Sequence, residues 1–595
     1  MPGGDREFRR QMFQAVVVLL FLVLAGDLFW MTGPGNRHYR DLALENRQVR
    51  FRVTAPRGQI LDRSGILLAD NTFIADITLS RRDFVAGRCD STLARMGRWC
   101  GLDTALVGSR LREGMAEGLG RLVLVGNADM AQVVAVEERR RDLPGVLVET
   151  RPRRRYLEGE LFSHLIGYVG QIRDEELTDA DPGIGYRSGD MVGRQGIERA
   201  FEPRLRGRAG IKLEEVNAAG HRVGRKPVWL EEVQPGGDVC LTLDVRLQRA
   251  MSDALGGRVG CGVVLSCRTG EILAACSSPT FDPNLMTVPI SREDWQQLSG
   301  DLRKPFFNRV LQATYPPGSL YKPIVSLAGL KAQVVGRDTW LEPCLGGWQL
   351  GNRFFRCWKP SGHGAIDHRG AMVHSCDTFF YQLGLKLDID TLAAAARSFG
   401  LGHTMSGIFV EEAAGLIPDH QWYDEHYGKG RWSRGVLLNN AIGQGEVLVT
   451  PLQMAVVTGR LAVGRDLPSP TFVAGQEKAV TLPALDFASA DLAWMRTALH
   501  DVVTEGTGHA ADLGDVTVAG KTGTAQNSHG EDHAWFMCFA PVEAPEIALA
   551  IIMENAGHGG SEAAPVARAW LEAYFYGPAR ADILAPRDRD REGAS

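Results

Sequence analysis

The sequence predicts an α+β protein of more than one domain, with one apolar helix ahead of the folded part. First, a chain of 595 residues is longer than one hydrophobic core usually organises. Second, strand-like segments lie at both ends of the C-terminal half, with helical material between them. Such an arrangement favours an antiparallel sheet that is assembled from distant segments and flanked by helices. Third, a long apolar run lies close to the N-terminus.

The apolar run, MFQAVVVLLFLVLAGDLFWM at residues 12–31, is interrupted only by Asp27 and is long enough to cross a bilayer as a helix. Arg6, Arg9 and Arg10 precede it, so the positive-inside rule keeps the short N-terminal end in the cytoplasm and exports the rest. A cleaved signal peptide is the alternative, but the end of the run is a poor small-residue cleavage site. We therefore expect an uncleaved single-pass anchor.

The composition is that of an ordinary globular protein. Hydrophobic residues make up 44% of the chain and charged residues 23%, which argues against a disordered or fibrous protein. A formal net charge of -5 gives no reason to expect a nucleic-acid partner.

The C-terminal half begins after the Pro-Gly-Gly turn of VQPGGDVCLTLD. A short strand at 239–242 and an amphipathic helix from Asp244 follow, and then two strands joined by a turn at 268–270. Much later, VTVAGKTGTAQ, AWFMCFAPV and EIALAIIMEN supply three more strands, and APVARAWLEAYFYG a closing helix. These segments are the predicted antiparallel sheet with its flanking helices.

Three short motifs in the C-terminal half carry groups suited to catalysis. YPPGSLYKP places Ser319 three residues before Lys322, HSCDTFFYQLG offers Ser375 and Asp377, and AGKTGTAQ offers Lys-Thr-Gly-Thr at 521–524. Each motif alone has a structural explanation, such as a helix start after two prolines. Their order and spacing together match the Ser-x-x-Lys, Ser-x-Asn and Lys-Thr-Gly set of serine acyltransferases.

A lysine beside the serine explains the first motif. A serine hydroxyl is a weak nucleophile at neutral pH and needs an adjacent base. Residues at i and i+3 of a helix share a face, so Lys322 would lie beside Ser319 and take its proton. Lys521 is the candidate for a second cation, which favours the uncharged form of Lys322. Ser375 would relay the proton to a leaving amine.

The Lys-Thr-Gly strand would bind the substrate. Thr522 and Thr524 can hold a substrate carboxylate through their hydroxyls, next to the charge of Lys521. Gly523 leaves room for a substrate backbone to pair against the strand edge. The backbone N–H groups of Ser319 and Thr524 would then form an oxyanion hole.

A cysteine-rich loop lies between the first two motifs and suggests a metal site. It contains Cys344, Cys357, His363 and Cys376, a set of three thiols and one imidazole that suits tetrahedral zinc. Cys376 lies between Ser375 and Asp377, so a metal would fix the loop that carries both. Two of the cysteines could instead form a disulfide, with the third a small buried residue.

The remaining candidates around this loop and elsewhere are weaker. His368 and His374 are alternatives to His363 as the fourth ligand. Cys89 and Cys100 could pair with each other, although separation in sequence does not show that they approach. The other five cysteines fall in apolar, strand-like runs and are expected in the core: Cys240, Cys261, Cys267, Cys276 and Cys538.

Beyond the motifs, most of the exported chain resembles the class B penicillin-binding proteins. The resemblance rests on PRGQILDRSGILLADN, GRQGIERAFEPRLRG, SSPTFDPN, YPPGSLYKP, NNAIGQGEVLVTPLQMA and GKTGTAQ. GELFSHLIGYVGQI and SCDTFFYQLG are most similar to the elongation-type members of that family. Two positions depart from the usual pattern: Asp377 stands where asparagine is commonest, and Leu320-Tyr321 where Thr-Phe or Thr-Val is frequent.

The resemblance implies a domain organisation. We expect a cytoplasmic tail at 1–11, a transmembrane helix at 12–31, an elongated non-catalytic pedestal domain of the dimerisation type at 32–235 and a transpeptidase domain at 236–577. A flexible tail at 578–595 would end the chain. The transpeptidase domain would combine an antiparallel sheet, flanked by helices, with a helical subdomain.

The resemblance also implies an activity and partners. It implies a peptidoglycan D,D-transpeptidase of the bacterial inner membrane, with its catalytic domain in the periplasm. Such an enzyme cross-links stem peptides through a Ser319 acyl-enzyme during cell-wall elongation and is acylated by β-lactams. Implied partners are peptidoglycan stem peptides, a SEDS-type glycosyltransferase of the RodA family and the scaffold MreC. Some relatives are expected to hold zinc in the cysteine-rich loop, whereas acyl transfer itself needs no cofactor.

The residues leave three other functions open. A D,D-carboxypeptidase or a β-lactamase uses the same serine chemistry with water as the acceptor, and the long segment before the motifs argues against both. A catalytically idle scaffold or β-lactam sensor is the alternative from a different class. The intact set of Ser319, Lys322, Ser375 and Lys521 argues against idleness.

Overall fold

The computed structural model describes residues 4–37, 40, 48–80, 89–101, 104–105, 108, 121–143, 145–179, 185–187, 189–215, 228–288, 290–476, 480–527, 530–578 and 580. The chain groups into two compact units. The first unit comprises Met1–Arg57, Asn71–Arg153 and Arg206–Gly236, and the second comprises Gly58–Asp70, Arg154–Leu205 and Gly237–Ser595.

Strands occur throughout the described chain after the N-terminal helix. They are β1 (Gln48–Val53), β2 (Ile60–Leu61), β3 (Leu67–Ser80), β4 (Arg121–Ala128), β5 (Val146–Tyr156), β6 (Val169–Gln171), β7 (Met191–Gly193), β8 (Gly210–Glu215), β9 (Val228–Glu231), β10 (Val239–Cys240), β11 (Gly260–Ser266), β12 (Ile272–Ser278), β13 (Gly347–Leu350), β14 (Arg353–Arg356), β15 (Ala519–Ala525), β16 (His533–Ala540) and β17 (Ile547–Met553).

Most of the long helices lie in the second half of the chain. The helices are α1 (Gly4–Thr32), α2 (Cys89–Cys100), α3 (Met130–Glu138), α4 (Ser163–Ile166), α5 (Asp174–Asp179), α6 (Gly196–Ala200), α7 (Glu202–Leu205), α8 (Val245–Leu255), α9 (Arg292–Gly300), α10 (Lys322–Lys331), α11 (His368–Val373), α12 (Asp377–Lys386), α13 (Ile389–Ser398), α14 (His420–Tyr427), α15 (Gly435–Ala441), α16 (Pro451–Val463), α17 (Ser489–Thr504) and α18 (Ala564–Phe575).

Short 3-10 and π turns connect some of these elements. They are Arg140–Asp142, Gly159–Phe162, Pro283–Met286, Gly318–Tyr321, His509–Ala511 and the π turn Gly559–Ala563.

In the first unit, two small sheets form. One has the order β1-β8-β9 and is antiparallel throughout. In the other, β3 pairs antiparallel with β4 and also with β5. Helices α2 and α3 pack against each other, and a small core of Ile77, Leu79, Met96, Leu124 and Val136 forms beside them.

The second unit contains the predicted antiparallel sheet. Its strand order is β12-β11-β17-β16-β15, and each neighbouring pair is antiparallel. The strands come from two segments that are separated by about 240 residues of mostly helical chain, as the sequence predicts. The turn between β11 and β12 at 268–270 and the N-cap of α8 at Asp244 are also confirmed.

Helices cover both faces of this sheet. Alternate residues of a strand point to opposite faces, so Ala550 and Ile552 of β17 join one core cluster while Leu549 and Ile551 join the other. On the first face lies α16, a helix that is buried nearly all round. On the second face lie α18 and α8, with the fully buried Trp570 against the sheet. Burial on both faces explains why β17 reads as a continuous apolar run.

The N-terminal apolar run forms one helix, α1, that extends from Gly4 to Thr32. Within the described residues it is the single helix long and apolar enough to cross a membrane, and its apolar side chains are exposed. Exposure of this many apolar side chains is what a lipid-facing segment requires.

Two further predictions concern the C-terminal tail and the pairing of Cys89 with Cys100. The predicted C-terminal tail at 578–595 lies outside the described residues apart from 578 and 580. Cys89 and Cys100 occupy the two ends of α2, and a rise of about 1.5 Å per residue separates such positions by roughly 16 Å. The suggestion that these two cysteines pair is therefore wrong, because a disulfide needs Cα atoms within about 7 Å.

Candidate active site

The turn before Ser319 is held by backbone contacts that only glycine allows. Pro316-Pro317-Gly318 leads into the 3-10 turn Gly318–Tyr321, and α10 follows directly. The N–H of Gly318 donates to the carbonyl of Gly443 at 2.8 Å. Gly318 has φ of +55°, and a Cβ there would lie 2.5 Å from the carbonyl oxygen of Thr524. Ser319 thus sits half-buried at the head of a buried helix, against strand β15.

Lys322, one turn after the serine, is completely buried. Its ammonium nitrogen donates to the carboxylate of Asp377 at 2.7 Å, to the hydroxyl of Ser375 at 3.1 Å and to the carbonyl of Ser375 at 2.9 Å. It also lies 5.2 Å from the ring centroid of Phe380. A buried cation with three oxygen partners is fixed in position. The first two predicted motifs therefore meet at this nitrogen.

Ser375 and Asp377 are presented by the junction between α11 and α12. Ser375 has φ of +54°, a left-handed conformation that costs a non-glycine residue about 1–2 kcal/mol. Asp377 begins α12, and its second carboxylate oxygen accepts the backbone N–H of Trp358 at 2.9 Å. The junction thus uses a strained backbone to aim both side chains at Lys322.

Lys521 lies on β15 and is also fully buried. Its ammonium donates to the carbonyl of Thr522 at 3.1 Å. Burial lowers the pKa of Lys521 well below its ordinary value, and the neighbouring cation Lys322 lowers it further. The hydroxyl of Thr522 is 2.7 Å from that of Thr507, and Thr524 is partly exposed at the strand edge.

Glycines let β15 approach the turn that carries Ser319. A Cβ on Gly523 would lie 2.4 Å from Cδ1 of Leu320, and one on Gly559 would lie 2.5 Å from the carbonyl oxygen of Gly523. The backbone of β15 can therefore pack directly against the turn that carries Ser319. This packing brings the third predicted motif to the first two.

The assembled groups suit acyl transfer. A serine hydroxyl is accessible at a helix start, and beside its turn lie two buried lysines and a second serine hydroxyl. Such a set can deprotonate a nucleophile, deliver a proton to a leaving group and hold an anionic substrate.

The four predicted metal ligands are also brought together. The ligand atoms of Cys344, Cys357, His363 and Cys376 all lie within 4.8 Å of one another. A tetrahedral zinc ion with Zn–S distances of about 2.3 Å needs ligand atoms roughly 3.8 Å apart, so the set fits. The three cysteines are free thiols, and Nε2 of His363 is buried without a hydrogen-bond partner among the described residues.

The protonation of this cluster also favours a cation. A hydrogen bond with Cys376 lowers the pKa of the Cys357 thiol far below its ordinary value and raises that of Cys376. A hydrogen bond with Cys357 raises the pKa of His363. One thiol of the group thus ionises readily, and a thiolate is the form that binds zinc.

The alternative histidines lie elsewhere. His368 is fully buried, with its Nε2 2.8 Å from the hydroxyl of Ser326 and its Nδ1 3.0 Å from the carbonyl of Gly336. His374 is outside the group of ligand atoms and caps the C-terminus of α11. Of the cysteines expected in the core, four are buried and Cys240 is partly buried.

Two residues join the site although the sequence did not single them out. The indole Nε1 of Trp358 donates to the carbonyl oxygens of Ser375 at 3.0 Å and His374 at 3.1 Å, and the residue as a whole is 56% exposed. The side-chain amide of Gln444 donates to the carbonyl of Thr524 at 3.0 Å. Trp358 directly follows Cys357, a predicted metal ligand, and this position in the sequence could have identified it as a candidate.

An ion pair with an added tyrosine hydroxyl holds the residue that begins the Ser319 turn, Tyr315. The hydroxyl of Tyr315 donates to Glu554 at 2.6 Å, and the guanidinium of Arg309 donates to the same carboxylate oxygen at 2.8 Å. The N–H of Tyr315 donates to the carbonyl of Val449 at 2.9 Å. Tyr315 opens the motif YPPGSLYKP, but no pattern in the sequence predicts its contact with Glu554, which crosses 239 positions.

A sheet between two helical layers, with a serine-lysine helix start set against the edge strand, defines the class of penicillin-recognising serine acyltransferases. Two family models match accordingly. The penicillin binding protein transpeptidase domain matches residues 260–572, and the penicillin-binding protein dimerisation domain matches residues 52–241.

Similar proteins cover nearly the whole chain. The peptidoglycan D,D-transpeptidase MrdA of Acinetobacter baumannii is 34% identical over 95% of this chain and 88% of its own length. Penicillin-binding protein 2 of Helicobacter pylori, in its complex with MreC, superposes with a TM-score of 0.78 at 28% identity, over 89% of this chain and all but 1% of that one. A chain of a peptidoglycan synthase complex that coordinates polymerization and crosslinking gives a TM-score of 0.70 at 29% identity, covering 96% and 99%. The chain belongs to the class B penicillin-binding proteins and, within them, is most like penicillin-binding protein 2.

Proposed function

We propose that this protein is a peptidoglycan D,D-transpeptidase that cross-links stem peptides during cell-wall elongation through an acyl-enzyme on Ser319, and that β-lactams acylate the same residue. The observation that carries the proposal is the contact of buried Lys322 with Ser375 and Asp377, one turn after Ser319. The name of the Acinetobacter baumannii relative states the same activity.

The acylation step follows from this geometry. This step uses Lys322 in its uncharged amine form: the Ser319 oxygen attacks the carbonyl carbon of the penultimate D-Ala, and its proton passes to that amine. The carbonyl oxygen becomes an oxyanion, for which the N–H groups of Ser319 and Thr524 are the proposed donors. The peptide bond then breaks, and terminal D-Ala leaves as an amine that takes a proton through the hydroxyl of Ser375.

The second step reverses the proton movements. An amine from a neighbouring stem attacks the ester carbonyl, its proton passes through Ser375 to Lys322, and the Ser319 oxygen leaves and is reprotonated. During the first step, Lys521, Thr522 and Thr524 would hold the terminal carboxylate of the donor. The hydroxyl of Thr522 is already oriented by its contact with Thr507.

A reaction with defined substrates tests this function. The full chain in detergent is incubated with a pentapeptide donor and an amine acceptor, and D-Ala and cross-linked product are both measured. Ser319→Ala serves as the control. Stoichiometric formation of both products supports transpeptidation. Release of D-Ala without a cross-link would indicate a carboxypeptidase, and acylation by penicillin without release of D-Ala would indicate a β-lactam-binding scaffold.

We also propose that Cys344, Cys357, His363 and Cys376 hold one structural zinc ion. Bound there, zinc would supply a fixed tetrahedral tether and no acyl-transfer chemistry. Cys376 lies between Ser375 and Asp377, so the tether would keep the strained junction in place. Metal analysis of protein purified without chelators should find about one zinc per chain and much less in Cys357→Ser. A wild-type content well below one would contradict the zinc assignment.

The helix α1 supports a location in the inner membrane, with residues after about 32 in the periplasm. We propose the predicted boundaries, a pedestal at 32–235 and a transpeptidase domain at 236–577, as the functional division of the exported part. The complexes formed by two structural neighbours support MreC and a SEDS-type glycosyltransferase as partners. Protease added outside spheroplasts should digest the exported part; protection of it would contradict this orientation.

A further inference from the structure

A cavity of about 490 Å³ lies at the edge of the five-stranded sheet that is farther from Lys521. Its walls are the edge strand β12, the C-terminal turn of α8 and the segment that runs from the 3-10 turn at Gly159–Phe162 into α4. The size falls in the range of small-molecule binding sites. Strands β12 and β15 are four strand spacings apart, or roughly 19 Å, so the proposed acyl-transfer site does not use this cavity.

One backbone position of β12 offers two unpaired hydrogen-bonding groups to the cavity. Two residues before it, the side-chain amide of Gln248 accepts the N–H of Ala275 at 2.8 Å and donates to the carbonyl of Ala275 at 2.8 Å. Outward-facing backbone groups recur at every second residue of an edge strand, and the register of β12 is regular over this stretch. Ser277 therefore presents its N–H and carbonyl in the same way, and neither group has a partner among the described residues.

A buried hydroxyl beside this position also lacks a partner. Ser278 lines the cavity, is only 8% exposed and forms no side-chain hydrogen bond with any residue that the structure describes. It shares a face of β12 with Cys276, and this face packs against α8, so the hydroxyl points toward the α8 wall. A buried polar group without a hydrogen bond is unfavourable, so a ligand that binds this hydroxyl gains from the contact.

The charge of the cavity is negative. Three of its lining residues carry a charge: Glu160, Asp253 and Arg303. The guanidinium of Arg303 is matched by Asp301, to which it donates at 2.7 Å. Within the described part of the chain, neither acidic lining residue has a cationic partner, and a carboxylate oxygen of Glu160 accepts the neutral hydroxyl of Thr280 at 3.2 Å.

The other titratable lining groups leave this negative charge in place. Burial lowers the pKa of His164 to about 4, so its imidazole is neutral at pH 7. Burial raises the pKa of the Cys276 thiol and the charge of Asp253 raises it further, which shows that this carboxylate lies near the cavity wall. An ammonium group is the ligand feature that suits two carboxylates without a counterion.

We propose that this cavity binds a small molecule that carries both a carboxamide and an ammonium group. The carboxamide pairs with the N–H and carbonyl of Ser277, as the amide of Gln248 does with Ala275. The ammonium group contacts Asp253 and Glu160, and the hydroxyl of Ser278 forms a further hydrogen bond. The site is separate from the proposed acyl transfer and does not depend on it.

Position 253 offers a charge change with a matched control. Asp253 lines the cavity, whereas Asp338 is exposed and lies outside it. Asp253→Asn and Asp338→Asn therefore remove the same charge and differ only in the cavity. Ser278→Ala removes the buried hydroxyl without adding volume. Equal melting temperatures would confirm that all three variants fold.

The experiment measures dissociation constants by ligand-observed NMR, with the full chain in detergent. Alanyl-alaninamide and glutamine carry both groups, N-acetyl-alanyl-alaninamide lacks the ammonium group, and propylamine lacks the amide. Wild type and Asp338→Asn should bind alanyl-alaninamide or glutamine about 3- to 10-fold more tightly than either single-group probe, the range of one hydrogen bond at a partly exposed site. Asp253→Asn and Ser278→Ala should each weaken that binding by about the same factor.

The two probes with both groups also distinguish the source of the ligand. Tighter binding of glutamine would identify a free amino acid, and tighter binding of alanyl-alaninamide would identify an amidated peptide. Absence of binding by both to the wild type would overturn the proposal. Equal binding of the acetylated peptide or of propylamine would overturn it as well. Unchanged affinity in Asp253→Asn, or an equal loss in Asp338→Asn, would show that the cavity does not hold the ammonium group.

Discussion

The ammonium nitrogen of Lys322 lies 2.7 Å from a carboxylate oxygen of Asp377 inside the second unit. Lys322 is fully buried, and the Asp377 side chain is 12% exposed. The aspartate at this position places a carboxylate beside a completely buried lysine. The pair therefore links the stability of the fold to the lysine that we propose as the catalytic base.

Replacing Asp377 tests this link. Asp377→Ala leaves a buried ammonium without its carboxylate and should lower the free energy of unfolding by about 3–5 kcal/mol. Asp377→Asn keeps an oxygen that accepts from Lys322, and it should retain most of the stability and the penicillin labelling. Thermal melts measure the stability of the two variants, and penicillin labelling rates measure their reactivity. Equal melting temperatures for Ala and wild type would contradict the role of the pair.

Gly318→Ala should abolish penicillin labelling. The new Cβ would lie 2.5 Å from the carbonyl oxygen of Thr524, so the turn or β15 must move. Gly351→Ala is the matched control, because Gly351 has φ of +56° and no atom within 4 Å of the added Cβ. The control should lose only about 1 kcal/mol of stability and keep full labelling. Equal effects of both substitutions would show that backbone strain, and not the contact with Thr524, decides the outcome.

Trp358→Phe should slow acylation several-fold without unfolding the protein. The substitution removes the indole N–H that donates to the carbonyls of His374 and Ser375 and thereby helps to hold the strained junction. Trp340→Phe is the control, since Trp340 is 62% exposed in the same half of the chain. The measurement is the second-order rate constant of penicillin labelling. An unchanged rate constant in Trp358→Phe would show that the indole N–H does not help to position Ser375 and Asp377.

His164 should make stability depend on pH. Burial lowers its pKa from an ordinary value of 6.5 to about 4, although its contact with the carbonyl of Pro305 works in the opposite direction. The unfolded chain therefore binds the proton more readily, and stability should fall as the pH drops from about 6.5 to about 4, by roughly 3 kcal/mol.

His164→Gln should flatten this part of the pH profile, because glutamine does not titrate. Thermal melts at pH 7, 6, 5 and 4 compare it with wild type and with His558→Gln, a change at an exposed histidine. The relevant quantity is the difference between variants, since other groups titrate in all of them. Parallel profiles for the wild type and His164→Gln would contradict the predicted contribution.

The candidate reacting groups could be identified from the sequence because the proposed chemistry requires local patterns. Ser319 and Lys322 must lie one turn apart, and Lys521 must lie on a strand with a glycine close by, so spacing alone suggested the site. The cysteine set was predictable for a similar reason: few loops hold three thiols and an imidazole so close together. The strands of the main sheet followed from their apolar runs.

The remaining parts depend on contacts between distant segments. The bond from Gln444 to Thr524 crosses 80 positions, and the triad of Arg309, Tyr315 and Glu554 crosses more than 200. No periodic pattern encodes such contacts. The suggested pairing of Cys89 and Cys100 failed because sequence distance does not reveal that both lie on one straight helix.

The most direct test of the account is the intact mass of the protein after incubation with penicillin, for wild type and Ser319→Ala in parallel. We predict one adduct of the mass of penicillin on the wild type, located on Ser319 by peptide mapping, and none on Ser319→Ala. An adduct that persists in Ser319→Ala, or a wild type without any adduct, would contradict the claim that Ser319 is the nucleophile.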